Sequence, residues 1–312
     1  MFKNICIIVL VLLLVVVEIR QYYNNIINTY FRNNNGVIYD YFIKNYIQNV
    51  STNNYFMNYG LWDSKKPKMK LKKANKNLCE FIFTKSKMEC DSELNILDVG
   101  CGYGMQDFLL SKKISAGSKI TAVDISKKQI DYANNMKRKK GVSDNKLHFT
   151  ICDAHKLLSK FSGNKFNRII SLESAFHYKN RPLFFNNVSK LLTTDGVFVI
   201  SDIVLNNNYK SSYATDLFIR IACDFLYVPE QNLITFKAWK KQLKTSNLTL
   251  LETYDITDKT FVPYYDFFLT NYCKNKNLPD FLKNLFQLIF TGIQPFSYVV
   301  AVCKPVPNVV PI

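Results

Sequence analysis

An apolar run that breaks into three alternating glycines most constrains what this chain can fold into. Leu94–Gly104 reads Leu-Asn-Ile-Leu-Asp-Val-Gly-Cys-Gly-Tyr-Gly, and its first half is typical of a short buried parallel strand. The segment that follows, 105–113, carries apolar residues at helical positions. Glycines permit positive φ and let a ligand approach the bare backbone, and a helix that begins directly after them favours such a ligand. The pattern therefore predicts a nucleotide-binding turn between a strand and a helix.

Two neighbouring features narrow the class of ligand. Position 105 is Met, whereas the dinucleotide fingerprint G-x-G-x-x-G counted from Gly100 requires glycine there, so a pyrophosphate is disfavoured. Asp124 ends a second apolar run, twenty residues after Gly104, where a carboxylate accepts hydrogen bonds from ribose hydroxyls. Asp98, at the end of the first strand, is placed to serve the cationic amino end of a nucleoside ligand, directly or through water.

At these residues the chain resembles the S-adenosylmethionine-dependent class I methyltransferases. Leu97–Gly104, Leu-Asp-Val-Gly-Cys-Gly-Tyr-Gly, is similar to their first motif, and Phe149–Ala154 is similar to their third. The resemblance implies S-adenosylmethionine as cofactor, with Asp153 accepting a hydrogen bond from the exocyclic amino group of adenine. A different Rossmann-like nucleotide binder remains the alternative, as does a surface role for Asp153.

The end of the fourth predicted strand points to the class of acceptor. Ser171–Tyr178, Ser-Leu-Glu-Ser-Ala-Phe-His-Tyr, resembles tocopherol, sterol and related small-molecule methyltransferases and lacks the Asn/Asp-Pro-Pro-aromatic stretch of DNA amino-methyltransferases. The resemblance implies Glu173 beside the methionine moiety and sulfonium of the cofactor, and His177 facing the acceptor. A neutral imidazole can take a proton from a phenol or alcohol, and Asp202 would orient His177 or act as the base itself. A packed histidine and a loop carboxylate remain the alternatives.

A loop ahead of the glycine turn extends the resemblance. Asn58–Trp62, Asn-Tyr-Gly-Leu-Trp, is similar to the aromatic-glycine loop that folds over the cofactor in sterol and tocopherol enzymes. Catalysis is expected from Glu173, His177 and Asp202. We expect the cofactor to contact Tyr59, Asp98, Gly100, Cys101, Gly102, Gly104, Asp124, Ile125, Gln129, Asp153, Ala154 and Glu173.

Strand and helix patterns alternate from residue 94 onward, which predicts an α/β fold with a doubly wound sheet. Strands are predicted at 94–99, 119–123, 147–151, 167–172, 196–202, 248–254 and 296–303. Helices are predicted at 70–87, 105–113, 127–139, 155–159, 181–192, 213–227, 236–245 and within 261–290. The resemblance implies a Rossmann-like, seven-stranded sheet with its last strand antiparallel, preceded by N-terminal helices and carrying a helical substrate cap.

The beginning of the chain has a different character from the rest. The apolar run 5–17 is preceded by Lys3, and it is shorter than the roughly 20 residues that span a bilayer unless its apolar and aromatic neighbours are included. No small-residue cleavage site follows it. We expect an uncleaved membrane anchor with the catalytic domain facing the cytosol, the endoplasmic reticulum being one candidate. A cleaved signal peptide and the secretory route are the alternative.

The domain organisation follows from these segments. We predict a membrane anchor or signal segment at 1–24, and N-terminal helices with the cofactor-covering loop at 25–90. A methyltransferase domain at 91–304 contains a cap insertion at about 206–247, and a tail follows at 305–312.

Composition bears on partners. The formal net charge of +17 at pH 7 would attract nucleic acid or anionic lipid. The lysines lack an Arg-rich tract or an aromatic-basic ladder, so they indicate solvated surface and we expect no nucleic-acid partner. Eight cysteines without a C-x-x-C pair, with only three histidines, predict neither a zinc site nor a disulfide framework.

The sequence thus predicts transfer of a methyl group from S-adenosylmethionine to a small, lipophilic acceptor, such as a sterol, prenyl-quinone or phenol-like molecule. An in-line displacement needs chiefly alignment of nucleophile and methyl group and exclusion of water. Methylation of a protein or nucleic acid is the alternative that the charge suggests. A non-catalytic interaction protein that retains the fold is the other.

Overall fold

The computed structural model describes most of the chain from residue 54 onward. The described residues are 54–63, 65, 69–88, 92–213, 215, 216, 219, 220, 223, 227–268, 270 and 295–307. The predicted anchor at 1–24, the first N-terminal helices and much of the predicted cap helix 213–227 lie outside them.

The seven predicted strands form one sheet. They are β1 (Asn95–Val99), β2 (Lys119–Asp124), β3 (Leu147–Ile151), β4 (Phe166–Leu172), β5 (Leu192–Leu205), β6 (Leu248–Asp255) and β7 (Phe296–Pro305). Their order across the sheet is β3-β2-β1-β4-β5-β7-β6. The first five strands pair in parallel, and β7 lies antiparallel between β5 and β6. The predicted Rossmann-like sheet with an antiparallel last strand is confirmed.

The helices cover both faces of the sheet. They are α1 (Leu71–Lys85), α2 (Met105–Leu110), α3 (Lys127–Lys139), α4 (Leu157–Lys160), α5 (Arg181–Leu191), α6 (Phe236–Thr245) and α7 (Phe261–Phe268). Single 3-10 turns at Ala154–Lys156, Ala175–His177, Glu230–Asn232 and Thr257–Lys259 connect them to the strands.

Alternation along the strands divides the buried side chains into two cores. In β1, Ile96 belongs to the core that includes Phe83 of α1, whereas Leu97 belongs to the core that includes Phe184 of α5. Because successive strand residues point to opposite faces, a strand between two helical layers is apolar on both sides. This explains why β1 reads as a nearly continuous apolar run.

The strand boundaries agree with the sequence prediction except at β5. This strand begins at Leu192 and ends at Leu205, whereas the prediction placed it at 196–202. The polar residues 193–195 and Gly196 resemble a turn, so the sequence pattern gave no sign that they belong to the strand. At its other end the strand continues beyond the predicted residue 202, and it pairs with β7 from Phe198 to Leu205.

The strand order creates a crevice at the carboxyl ends of β1 and β4. The chain winds from β1 to β2 and β3 in one direction, and then from β4 onward in the other. Ligands of open α/β sheets bind at such a switch point, outside the carboxyl ends of the strands. The glycine turn follows β1 and the Glu173 segment follows β4, so both border this crevice. Within the described part of the chain, no helix is long and apolar enough to cross a bilayer.

Candidate cofactor and acceptor site

The glycine turn is tied to the neighbouring strand through its own backbone. Gly100 and Cys101 both donate their N–H groups to the Val123 carbonyl oxygen, at 2.8 and 3.0 Å. Gly100, Gly102 and Gly104 have φ values of 82, 58 and 72°, a region that favours glycine. A Cβ atom at Gly100 would lie 2.3 Å from the Ser174 hydroxyl oxygen. The turn therefore requires glycine both for its conformation and for its contact with the segment after β4.

Asp124 fixes the turn from the end of β2. Its carboxylate accepts the Gly102 N–H on one oxygen and the Ser126 N–H on the other, each at 2.9 Å. Each carboxylate oxygen can accept a second hydrogen bond, and the side chain is only partly buried. Ile125 is 40% exposed beside it, whereas Gln129 is buried, with its side-chain oxygen 3.5 Å from a Cβ built at Gly102. Asp124 thus has the acceptor chemistry that ribose hydroxyls require.

Asp98 lies behind the turn. Its carboxylate accepts a 2.6 Å hydrogen bond from the Gln106 side-chain amide, and it is fully buried. Asp107, also fully buried, lies close enough to Asp98 for the two carboxyl groups to influence each other's ionisation. Burial raises the pKa of both groups. The predicted direct contact between Asp98 and a cationic ligand does not agree with this burial, because Asp98 offers no exposed surface.

Asp153 follows β3 and is oriented by the histidine two residues later. One carboxylate oxygen accepts the His155 N–H at 2.9 Å and lies 2.7 Å from His155 Nδ1. His155 Nε2 in turn accepts the N–H of Asn180 at 3.0 Å, which places the ring proton of the neutral imidazole on Nδ1. The partly exposed Asp153 and the buried Ala154 lie where the adenine contact was predicted.

Glu173 is the most constrained carboxylate of the site. Its backbone adopts a φ of 51°, and its N–H donates to the Ser201 hydroxyl at 3.1 Å. The carboxylate accepts the Tyr59 N–H at 2.8 and 3.1 Å on its two oxygens, and the Tyr298 hydroxyl at 2.5 Å. Burial raises the pKa of Glu173 to about 8, while the two donors act in the opposite direction.

The loop 58–62 covers Glu173 and is built mainly from aromatic contacts. The Tyr59 ring packs edge-on against Phe261 and Tyr264 of α7, with centroids 5.3 and 4.7 Å apart. The Trp62 indole N–H donates to the Tyr59 carbonyl oxygen at 2.9 Å. Gly60 has a φ of 84° and lies against Ala74 of α1, where a side chain would collide. The arrangement agrees with a loop that folds over a ligand.

A cluster of three tyrosine rings connects the chain ahead of the loop 58–62 to the glycine turn. Tyr55 stacks on Tyr132 of α3 at a centroid distance of 4.6 Å, and Tyr103 in the turn meets both rings edge-on. Met57 lies 3.5 Å from a Cβ built at Gly102. The chain from Tyr55 to Trp62 therefore passes directly over the turn and on to the end of β4.

His177 ends the 3-10 turn that follows Glu173. Its Nδ1 lies 3.2 Å from the Tyr227 carbonyl oxygen, so the neutral ring carries its proton on Nδ1. Burial lowers the pKa of His177 to about 4, and the imidazole is neutral at physiological pH. It therefore meets the predicted requirement for a neutral ring, but the same burial makes it a weaker base than an exposed histidine.

Asp202 does not take the role predicted for it. Its carboxylate is fully buried in an ion pair with Arg181, at 2.9 Å, and also accepts the Trp239 indole N–H at 2.7 Å and the Ile203 N–H at 3.0 Å. Burial raises the pKa of Asp202 and lowers that of Arg181, and their mutual attraction opposes both shifts. The predicted orienting contact with His177 is contradicted, because these groups occupy the carboxylate beneath α6.

Sequence reasoning missed Tyr298 and Asp107. Tyr298 lies in the apolar strand β7, where a tyrosine needs a hydrogen-bond partner for its hydroxyl. Asp107 lies in α2 immediately before the apolar residues Phe108–Leu110. In both positions, a single polar group in an apolar run was the available signal.

The residues fit S-adenosylmethionine. Three carboxyl groups lie at the carboxyl ends of strands: Asp124 ends β2, Asp153 follows β3 and Glu173 follows β4. Each of these side chains is partly exposed. They offer hydrogen-bond acceptors for ribose hydroxyls and for an adenine amino group, and a carboxylate charge for a cationic sulfonium. Each is already oriented by a backbone N–H group.

A family model described as a methyltransferase domain matches residues 90–249, which is just over half of the 312-residue chain. The chain belongs to the methyltransferase-domain family. It is an S-adenosylmethionine-dependent methyltransferase, and S-adenosylmethionine is its cofactor.

Two curated relatives are similar over different shares of the chain. Erythromycin 3''-O-methyltransferase of Saccharopolyspora erythraea is 27% identical over 251 residues, which cover 78% of this chain and 77% of the relative. Sterol 4-C-methyltransferase strm-1 of Caenorhabditis elegans is 25% identical over 196 residues, 59% of this chain and 54% of the relative. The match to the sterol enzyme thus spans about half of that protein.

A solved structure supports the fold. The putative sarcosine dimethylglycine methyltransferase from Galdieria sulphuraria superposes with a TM-score of 0.69 at 17% identity, over 84% of this chain and 97% of that one. At this identity the likeness concerns the fold alone.

Proposed function

We propose that this methyltransferase acts on a small, lipophilic acceptor such as a sterol, prenyl-quinone or phenol-like molecule. The observation that carries the proposal is the Glu173 carboxylate, which is held at the carboxyl end of β4 under the aromatic loop 58–62. Aromatic side chains around a few oriented polar groups favour an apolar ligand over a flexible polar chain. The two relatives are named as an erythromycin and a sterol methyltransferase, which supports a small acceptor.

The site residues have separate roles in an in-line displacement. When bound, the cofactor supplies a methyl group activated by a sulfonium. Asp124 and Asp153 hold the nucleoside, and Glu173 provides a negative charge beside the methionine end. Burial lowers the pKa of His177 to about 4, so its imidazole is neutral near pH 7 and is a weak proton acceptor. His177 is proposed to face the acceptor and to present its unprotonated Nε2 to it.

The acceptor class is tested by supplying the enzyme with methyl-labelled S-adenosylmethionine and separate lipid, protein and RNA fractions. We expect label in the lipid fraction, and we expect Glu173→Gln to abolish it. The variant Asp131→Asn, which changes an exposed carboxylate of α3, is the matched control and should keep the activity. Label confined to protein or RNA would contradict the proposal and favour the alternative that the net charge of +17 suggests.

We also propose that residues 1–24 anchor the enzyme to a membrane with its catalytic domain on the cytosolic side. The anchor at 1–24 would then precede the N-terminal helices and covering loop at 25–90. The methyltransferase domain at 91–304, with its cap at about 206–247, and the tail at 305–312 would follow. The apolar run 5–17 supports it, and a membrane would bring a lipophilic acceptor close to the site. Cell fractionation should place the full chain with membranes and the chain without residues 1–24 in the supernatant. A full chain found wholly in the supernatant would contradict the anchor.

A further inference from the structure

Glu173 adopts a backbone conformation that glutamate seldom takes. Its φ of 51° makes it one of four described non-glycine residues with positive φ, and it directly follows β4 at the switch point. Such backbone strain persists only where the surroundings fix it, and it concentrates at functional sites. The contacts that fix Glu173 are therefore part of the site.

Tyr298 is the group that reaches the Glu173 carboxylate from the sheet. It lies on β7 and is fully buried, and its hydroxyl is 2.5 Å from one carboxylate oxygen of Glu173. The same hydroxyl lies 3.1 Å from the Ser201 hydroxyl on β5, which accepts the Glu173 N–H at 3.1 Å. The three side chains therefore close a ring of hydrogen bonds around Glu173. A phenol that donates to a carboxylate favours its ionised form.

The hydrogen-bond partners of Glu173 in the described part of the chain are neutral groups. Its carboxylate accepts from the Tyr59 N–H and the Tyr298 hydroxyl, and its own N–H donates to the Ser201 hydroxyl. The other titratable group that faces it is the Cys79 thiol of α1, and burial raises the pKa of both that thiol and the Tyr298 phenol. Both therefore stay neutral, and the charge on Glu173 has no counter-ion among them. A half-buried, uncompensated carboxylate favours binding of a cation.

We propose that Tyr298 is a positioning residue that holds Glu173 as an oriented, ionised counter-charge for the sulfonium of the cofactor. This inference rests on the proposed placement of the cofactor beside Glu173. It assigns to β7, which lies far from the glycine turn in sequence, a direct part in distinguishing the charged methyl donor from its neutral product. S-adenosylhomocysteine lacks the sulfonium, so Glu173 contributes little to its binding.

The consequence is a preference for the donor that depends on pH. The pKa of Glu173 is about 8, and the Tyr298 hydroxyl lowers it against the effect of burial. Below that pH the carboxyl group is neutral and distinguishes the two ligands weakly, whereas above it the carboxylate favours S-adenosylmethionine. Without the Tyr298 hydroxyl, the pKa of Glu173 rises by roughly one unit, because the carboxylate loses the free energy of a hydrogen bond to a charged group.

The test is calorimetric titration of the full chain with S-adenosylmethionine and S-adenosylhomocysteine between pH 6.5 and 9.5. For the natural protein, we expect the ratio of the two affinities to rise through about pH 8. For Tyr298→Phe, the rise moves upward by roughly one pH unit. Affinity for S-adenosylhomocysteine changes little. Tyr254→Phe is the matched control, because it removes a hydroxyl on the neighbouring strand β6 that contacts Lys85 and Glu252.

Two results would overturn the inference. One is a ratio that rises at the same pH in Tyr298→Phe and in the natural protein. The other is an equal loss of affinity for both ligands at every pH, which a merely structural tyrosine would produce. If Tyr298→Phe does not fold, Ser201→Ala replaces it, with a smaller displacement expected in the same direction and an unshifted curve contradicting the inference. A natural protein that binds neither ligand would instead overturn the proposed cofactor site itself.

Discussion

The carboxyl groups around the glycine turn differ in whether their surroundings stabilise or destabilise a negative charge. Asp98, Asp107 and Glu173 have raised pKa values because burial disfavours their ionised forms. Asp124, by contrast, is only partly buried and accepts two backbone N–H groups. We infer a division of labour, in which Asp124 binds neutral hydroxyls, Glu173 responds to a cation and the Asp98–Asp107 pair remains behind the turn.

Replacing Asp124 with alanine should weaken binding of S-adenosylhomocysteine by about tenfold to a hundredfold, since a hydrogen bond to a charged group contributes about 1.5–3 kcal/mol. The substitution removes the proposed ribose acceptor and the acceptor for the Gly102 N–H. Isothermal titration calorimetry measures the loss. Asp131→Ala, on the exposed face of α3, is the control and should bind as the natural protein does. Equal affinities in the two variants would remove Asp124 from the site.

Asp107→Asn should change how stability depends on pH. The folded protein holds the Asp98 and Asp107 protons more tightly than the unfolded chain does, so stability is greatest below their unfolded pKa values and falls as pH rises toward the raised ones. The amide removes one of the two ionisations. We expect the variant to be more stable than the natural protein by about 1 kcal/mol or more at pH 8, with a smaller or reversed difference at pH 4.

Urea denaturation at the two pH values measures this difference. The exposed variant Asp131→Asn serves as control and should show no comparable gain at pH 8. If Asp107→Asn were less stable than the natural protein by the same amount at both pH values, the raised pKa of Asp107 would not explain the change in stability.

At the scale of elements, the β1–turn–α2 unit fits against the segment after β4 with no spare space. A Cβ at Gly100 would lie 2.3 Å from Ser174 Oγ and 2.9 Å from the Tyr178 hydroxyl. Gly163 has a similar φ of 78° but nothing within 4 Å of an added Cβ. The two glycines therefore separate the cost of backbone strain from the cost of a collision.

Gly163→Ala should destabilise the protein by about 1–3 kcal/mol, the cost of the strained backbone, and should leave cofactor affinity unchanged. Gly100→Ala should be more destabilising and should also lose S-adenosylhomocysteine binding, because Ser174 and the turn have to separate. Thermal unfolding and calorimetry of both variants test this. Equal stability and equal affinity in the two variants would show that the close approach at Gly100 has no consequence.

The elements that could be predicted from sequence are those whose signal is local. The apolar runs of β1 and β2 and the helical spacing of α3 depend on neighbours within a few residues, and the structure confirms them. The beginning of β5 at Leu192 could not be predicted, because Leu192 joins the sheet only by pairing with Phe166 of β4, and regular pairing resumes at Val197 after the polar residues. The strand gains its length from the sheet rather than from its own composition.

At the scale of the whole molecule, the parts of the site that could be predicted are those whose residues lie close together in sequence. The parts that could not be predicted join residues far apart in sequence. The glycine turn and Asp124 lie within one β-turn-α-β unit, so their relation is visible in the sequence. Tyr298 reaches Glu173 across 125 positions, and Tyr59 reaches it across 114. Asp202 was misassigned for the same reason, since Arg181 and Trp239 meet it only through tertiary packing.

Because the proposed ligand contacts come from segments spread between Tyr59 and Glu173, binding should stabilise the molecule as a whole. S-adenosylhomocysteine at a hundred times its Kd stabilises by about 2.7 kcal/mol, which corresponds to a rise in Tm of about 5–10 °C for a domain of this size. Differential scanning fluorimetry of the full chain measures the rise. At the same ligand concentration Asp124→Ala should show a much smaller rise, while Asp131→Ala should show the full one. A Tm that saturating ligand leaves unchanged would mean that these segments do not share a ligand, since a molecule that binds only the folded state must raise it.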